Sequence, residues 1–208
     1  MARTASRTAS LIQTSFGDRV ATNDTRSLCA ELLRWESCRP HMYVDGRGFV
    51  ATGVDHALPT VDAAIALPWR HRATGLSATP AEIQRAFVRV RALGPRQKTL
   101  SYRLASDVVL PAGVAGDLAI ARIERDVLPG LRRLCPDFDR YPLPARRALV
   151  DMAFDLGLAG LARFRKLITA CAQRDFATAA NHCHRRGSRE TRNAAMRILF
   201  LEAANVRA

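Results

Sequence analysis

Between Arg146 and Leu156 the sequence carries an apolar residue on almost every side of a helix. Ala148, Leu149, Met152, Ala153 and Leu156 cover several faces rather than one stripe, and Gly157 follows as a C-terminal turn. Such a helix cannot rest on a surface, so it predicts a central, buried helix in a mostly helical fold. The chain has 208 residues, enough for one large domain or two small ones and for a real core without staples.

The strongest of the other helix signals is TPAEIQRAFVRVRALGP. Thr79 is placed to cap, Pro80 takes the first helical position and Glu82 completes a capping box. Ile83, Phe87 and Val90 form the apolar face, and Gly94 and Pro95 stop the helix. Asp117 to Leu134 repeats Ile120, Ile123, Val127, Leu131 and Leu134 at helical spacing, with Pro129 expected to kink or divide it. PDFDRYPLP reads as a loop. Shorter helices are predicted at about 160–172 and 175–184, and Ser188 opens a last one through Leu199, Phe200 and Ala203.

Near the N-terminus, Thr25 or Ser27 can cap a helix that places Leu28, Leu32 and Trp35 on one face and ends at Cys38, Arg39 and Pro40. From Met42 to Thr52 a Tyr/Val/Phe stretch punctuated by Gly46, Gly48 and then Gly53 reads as a small hairpin or meander. LPTVDAAIALPWRHRATGLS reads as a connector, and residues 96–113 as irregular. Residues 1–24, rich in Ser, Thr and Arg, read as a mobile arm.

Net charge is +13, and arginine carries it: Lys98 and Lys166 are the only lysines. Such charge favours a polyanionic partner, namely nucleic acid, an anionic membrane surface or an anionic wall polymer; the alternative is that it merely follows from an Ala- and Arg-rich composition. The arginines do not gather into one block, which leaves these two readings level; an Arg-rich nucleic-acid binder would rest on the charge alone, and the acid-bearing run described below speaks against nucleic acid as the partner. Cys29, Cys38, Cys135, Cys171 and Cys183 are odd in number and form no CxxC, which excludes a complete disulfide framework and makes buried thiols the default. No run of 18 or more apolar residues predicts a membrane span, and the first residues lack the apolar core of a secretory signal. His182, Cys183 and His184 suggest metal ligands, but on a helix His182 and His184 would point about 200° apart, so no zinc site is expected there; the family resemblance given below implies no metal or organic cofactor. Arg189, Arg192 and Arg197 on the last helix could contact an anionic glycan, but read rather as a solvated helix face. No P-loop, GxGxxG or GxSxG occurs.

The stretch WESCRPHMYVDGRGFVATGVDH, Trp35 to His56, sets one acid at a helix end and a second in a glycine-rich turn. Glycoside cleavage needs two such carboxyl groups, one to donate a proton to the leaving oxygen and one to activate water or stabilise charge. Different surroundings would separate their roles: Glu36 against an apolar helix, Asp45 in an open hairpin. An acid at a helix end and an Asp-Gly turn also occur together without any catalysis.

The run Glu36, Tyr43, Asp45, Gly48, Thr52, Gly53, His56 resembles the active-site stretch of phage-type (T4-like) lysozymes, the muramidases. ARRALVDMAFDLGLAGLARF resembles their central helix and following turn, and AQRDFATAANHCHRRGSRETRNAAMRILF their C-terminal helix pair. SATPAEIQRAF and CPDFDRYP are similar to elements of bacterial toxins homologous to phage lysozyme. The resemblance covers about residues 27–205.

It implies a lysozyme-like, mostly α (α+β) domain over 25–208, with a small N-terminal β-hairpin subdomain and a helical lobe flanking a cleft. It implies hydrolysis of the β-1,4 bond between N-acetylmuramic acid and N-acetylglucosamine, with inversion. Glu36 would be the general acid, Asp45 the carboxylate that directs water, and Thr52 the hydroxyl that positions it. Aligning Gly48 and Gly53, however, puts Ala51 at the family's Thr position. Either a bulge returns Thr52 to the cleft or that third element is missing. Asp55, in place of a family glycine, is either a substitute carboxylate or a surface acid. Tyr43 packs the hairpin and would line the cleft. Asp155 is either a substrate contact or a helix-end acid paired with an arginine.

The toxin-like branch implies an antibacterial effector delivered to a rival's periplasm by a type VI-like secretion carrier, with a periplasmic immunity protein as partner. It would be made in the cytoplasm and act at the cell wall. A phage-type lysis enzyme is the near alternative. A catalytically impaired, lysozyme-like peptidoglycan-binding protein is the reading that Ala51 and Asp55 favour.

Overall fold

The structure is a computed structural model and describes residues 23–206. The fold is α+β: mostly helical, with one three-stranded and one two-stranded antiparallel sheet among the described residues. It divides into two compact units, one of residues 37–119 and one of residues 23–36 with 120–206. The arm expected over residues 1–24 lies almost wholly outside the described residues.

The first unit begins with a hairpin. β1 (Arg39–Val44) pairs with β2 (Val50–Gly53), and β2 pairs with β3 (His56–Ala57). Tyr43 lies opposite Ala51, and Val44 opposite Val50, but the register shifts between Arg39 and Tyr43. The irregularity is therefore in β1. The N-terminal helix stops short of Arg39 and Pro40, which open β1 instead. Edge position explains why a strand can hold Pro40, whose missing N–H would break an inner ladder.

The expected connector is not structureless. It holds α2 (Val61–Ile65), capped by the Thr60 hydroxyl, and β4 (Arg70–His71). Trp69, buried, anchors it by donating its indole N–H to Ala64 O at 2.7 Å. α3 (Pro80–Leu93) forms as read, with the Thr79/Glu82 capping box closed and Gly94 after it at φ 68°. The irregular stretch after it contains α4 (Thr99–Ala105) and β5 (Val108–Val109), which pairs with β4. Both elements are too short for periodicity to reveal, and tertiary contacts hold them: the Tyr102 hydroxyl donates to Gly94 O at 2.6 Å, and Leu110 N to Pro40 O at 2.7 Å. Met42, Val44, Val50, Trp69, Phe87 and Val108 are among the residues that form one core here.

The second unit takes α1 (Asn23–Trp35) from the start of the described chain. The helix begins two residues before Thr25, within the usual fraying of a helix end. α5 (Val114–Arg122) belongs to the first unit as far as Ala119, and from its last turn a wide helical turn over Ile123–Val127, in which Leu128 N bonds Ile123 O, leads into α6 (Leu128–Leu134). Pro129 thus neither breaks nor sharply divides the run. Its ring and missing N–H are absorbed by a turn with one extra residue. α7 (Leu143–Leu161) is the central helix, with Ala148, Leu149, Val150 and Met152 fully buried. It leaves helical geometry at Gly157, φ 70°. It packs against α1, the wide turn, α6 and α10 (Glu190–Asn205). α8 (Arg165–Ala172) and α9 (Phe176–Asn181) lie between them in sequence. α10 starts two residues after Ser188, whose hydroxyl donates to Asp155 at 2.9 Å. No described helix is long and apolar enough to cross a membrane.

Candidate active site

Glu36 is the first residue beyond α1, and its N–H closes the last turn on Leu32 O at 3.2 Å. The side chain is 17% exposed, and Oε1 lies 2.8 Å from Arg192 Nη2. A guanidinium faces this partly buried acid, a partner that the sequence reading did not include. The reading of Arg192 as part of a solvated face is corrected. Arg192 donates to both oxygens of Asp151, from Nε at 3.1 Å and from Nη2 at 2.9 Å. Burial works against the Arg192 charge, but the bonds and charges of Asp151 and Glu36 outweigh it and hold its pKa above the ordinary arginine value.

Asp151, on α7, has no exposed side-chain surface and also accepts from Arg185 Nη1 at 2.8 Å. The same Nη1 reaches Asp155 at 2.9 Å, one helical turn along α7, where Ser188 Oγ also donates at 2.9 Å. Asn193 clamps the Arg185 backbone from both sides, accepting its N–H at 3.1 Å and donating to its carbonyl at 3.0 Å. Glu36 and Asp155 are therefore joined through Arg192, Asp151 and Arg185 in one ionic network of the helical unit. Asp155 takes the arginine-paired form of its two readings, and at 29% exposure it retains some surface.

Asp151 and Arg185 are not singled out from sequence, and Arg192 reads there as part of a solvated face, yet a signal is present. Two acids one turn apart on a helix otherwise apolar demand cationic partners, since buried carboxylates persist only when paired. Arg192 and Asn193 divide the work: one side chain fixes Glu36 to α7, the other fixes the loop that carries Arg185.

On the first unit's hairpin, Asp45 organises its own turn. Oδ1 accepts the N–H groups of Arg47 and Phe49, both at 2.9 Å, and Oδ2 accepts Arg47 Nε at 3.3 Å. Its N–H donates to Phe49 O, and Gly48, at φ 89°, turns the chain. Tyr43 is buried and donates its hydroxyl to Asp55 at 2.5 Å, with Arg39 stacked 4.5 Å above its ring. Burial first, and then the Asp55 bond, push the Tyr43 hydroxyl well above its usual range. Asp55, at φ 51°, is thus Tyr43's acceptor.

Thr52 is fully buried and donates its hydroxyl to Arg39 O at 3.3 Å. The irregularity of the hairpin lies in β1, so β2 runs regularly, with Ala51 opposite Ala57 and Thr52 opposite His56. Asp45, Thr52 and Tyr43 share one hairpin but are held by separate bonds.

Among the described residues no group of three or more His, Cys, Asp or Glu could hold a metal. His184 pairs with Glu190 at 3.0 Å and the Cys183 thiol is buried against Ala180 O. The cysteines are free thiols, and Cys38 alone is exposed. Compared with known proteins, the sequence matches no protein-family model, and no curated protein is similar enough to it to count as a relative.

Proposed function

We propose that the chain is a lysozyme-like peptidoglycan hydrolase, a muramidase that cleaves the β-1,4 bond between N-acetylmuramic acid and N-acetylglucosamine. The observation that carries this reading is the setting of Glu36. It follows α1 directly, precedes a small antiparallel hairpin that bears Asp45, and is locked to the central helix by Arg192 and Asp151. A general acid must be held in one orientation, and a network that cross-links three helical-unit segments around one carboxyl does that. In this reading Glu36 supplies the proton and Asp45 directs water, with inversion and without a cofactor. The resemblance to lysozyme-like toxins further supports an antibacterial effector carried by a secretion machine into a periplasm, held in check by an immunity protein, or else a phage-type lysis enzyme.

A second reading has its own observation. Both Asp45 oxygens are engaged by the hairpin turn, and the Thr52 hydroxyl is turned to a backbone carbonyl. This favours a protein that binds peptidoglycan without cleaving it. One experiment separates the two: incubation of purified protein with peptidoglycan, assayed for new reducing ends, beside Glu36→Gln. The amide oxygen of Gln still accepts from Arg192, so the variant keeps the network. Cleavage by wild type alone supports the hydrolase. Binding by both with no reducing ends overturns it in favour of the binding protein.

A further inference from the structure

The first unit holds a second polar cluster that the proposed chemistry does not use. His41 sits in β1 with 6% of its surface exposed, and its Nε2 has no hydrogen-bond partner among the described residues. A buried polar atom without a partner is rare in a settled core and points to a group that completes it. α4 packs on β1 and carries Arg103. Arg72, just after β4, is fixed by donating to Arg103 O at 2.6 Å and Ser106 O at 2.5 Å, the carbonyls that end α4. Arg39 lies over the Tyr43 ring, and the guanidinium of the exposed Arg103 makes no hydrogen bond or ion pair among the described residues.

Burial, then the charges of Arg72, Arg39 and Arg103, lower the His41 pKa to about 4. The acid that balances Arg72 is Asp107, already bonded to Arg89 at 2.7 Å. The charges of three arginines therefore act on an imidazole whose buried Nε2 has no partner among the described residues, and the nearby carboxylate is spoken for.

We propose that Arg39, Arg103 and His41, beside the fixed charge of Arg72, form an oxyanion-binding site that takes a carboxylate or phosphate group. The ligand oxygen would accept from His41 Nε2 in its N–H tautomer and from the free guanidinium of Arg103, bonds that are stronger for carrying charge. Arg39 would contribute from its place on the Tyr43 ring. The site is independent of Glu36 and stands whether or not the chain cleaves glycan.

The test follows the His41 ring resonances by NMR at constant ionic strength, with inorganic phosphate or acetate exchanged for chloride. A bound anion offsets the repulsion by the arginines and favours the protonated ring. The expected result is a saturable shift of His41 alone among the histidines, with its pKa raised by about one unit or more. Arg103→Ala, which removes no bond of the fold made by that guanidinium, should weaken the anion about tenfold. Saturation by acetate alone assigns a carboxylate ligand, and by phosphate alone a phosphate. His41 resonances that respond to neither anion overturn the site. So does a response that Arg103→Ala leaves unchanged, since that would be general screening.

Discussion

Arg192 is the residue on which the Glu36 arrangement turns. It spends three of its hydrogen bonds on the two oxygens of fully buried Asp151 and one contact on Glu36, so the fork geometry of a guanidinium is essential. Arg192→Ala strips Asp151 of one of two cationic partners. Removing one side of a buried ion pair costs about 3–5 kcal/mol, and the surviving Arg185 bond places this case near the lower end, about 3 kcal/mol. Arg192→Lys should recover only part of that, because an ammonium cannot serve both oxygens and Glu36 from one plane. Urea unfolding followed by far-ultraviolet circular dichroism measures both; a loss below about 1 kcal/mol for the alanine variant would show that the network does not hold the fold. At this scale the sequence was half legible. Glu36 and Asp45 stood out because acids next to a helix end and a glycine turn are local features. Their partners come from far along the chain, and a solvated-face reading of Arg192 could not foresee a carboxylate arriving from α7. The fate of Thr52 was open for a similar reason: the direction of one strand residue depends on where a bulge falls, and here it fell in β1.

Among the elements, α3 shows what local chemistry can specify alone. Thr79 Oγ1 caps Glu82 N at 3.4 Å and donates its hydroxyl to Glu82 Oε2 at 2.6 Å, Thr79 N donates to the same oxygen at 2.8 Å, and His71 Nε2 lies 3.1 Å from it. These contacts, the Thr79 hydroxyl first, the Thr79 N–H next and His71 after, lower the Glu82 pKa from 4.5 to about 2. A depressed carboxyl stabilises the fold above its unfolded value, and that contribution is lost as pH falls from about 4.5 through about 2. Thr79→Ala removes the first of these contacts and the cap itself. The Glu82 carboxyl should then titrate closer to 4.5 by carbon NMR, and the helix should lose about 1 kcal/mol at neutral pH. A Glu82 carboxyl that titrates as in wild type would mean that the box does not form in solution. The long helices α3 and α7 were readable because capping and periodicity are written in adjacent residues. α2, α4, β4 and β5 were not: their anchors are Trp69 on Ala64, Tyr102 on Gly94, and strand pairing between distant dipeptides. The turn before Pro129 was missed because periodicity cannot distinguish a wide turn from a kink.

For the molecule as a whole, a net charge of +13 sets how it meets any partner. The ion pairs described above neutralise few of the arginines: Arg192 and Arg185 are consumed internally, whereas Arg34, Arg47 and Arg140 stay largely in solvent even where they touch an acid. Exposed charges act through water and are screened within about 10 Å at 0.1 M salt and about 3 Å at 1 M. If the proposed wall partner is held by this general field, the fraction of protein that sediments with purified peptidoglycan should fall steeply between those two salt concentrations. Glu36→Gln changes one partly buried group out of the whole field, so it should follow the same salt curve as wild type while losing any cleavage. Attachment that is indifferent to salt would assign binding to specific contacts and leave the arginine content as composition. Attachment that weakens with salt but also collapses in Glu36→Gln would tie binding to the acid itself, which neither the hydrolase nor the binding-only reading accommodates. On the proposed reading, the charge and the carboxyl network make separable contributions, one to reaching an anionic polymer and the other to what happens there.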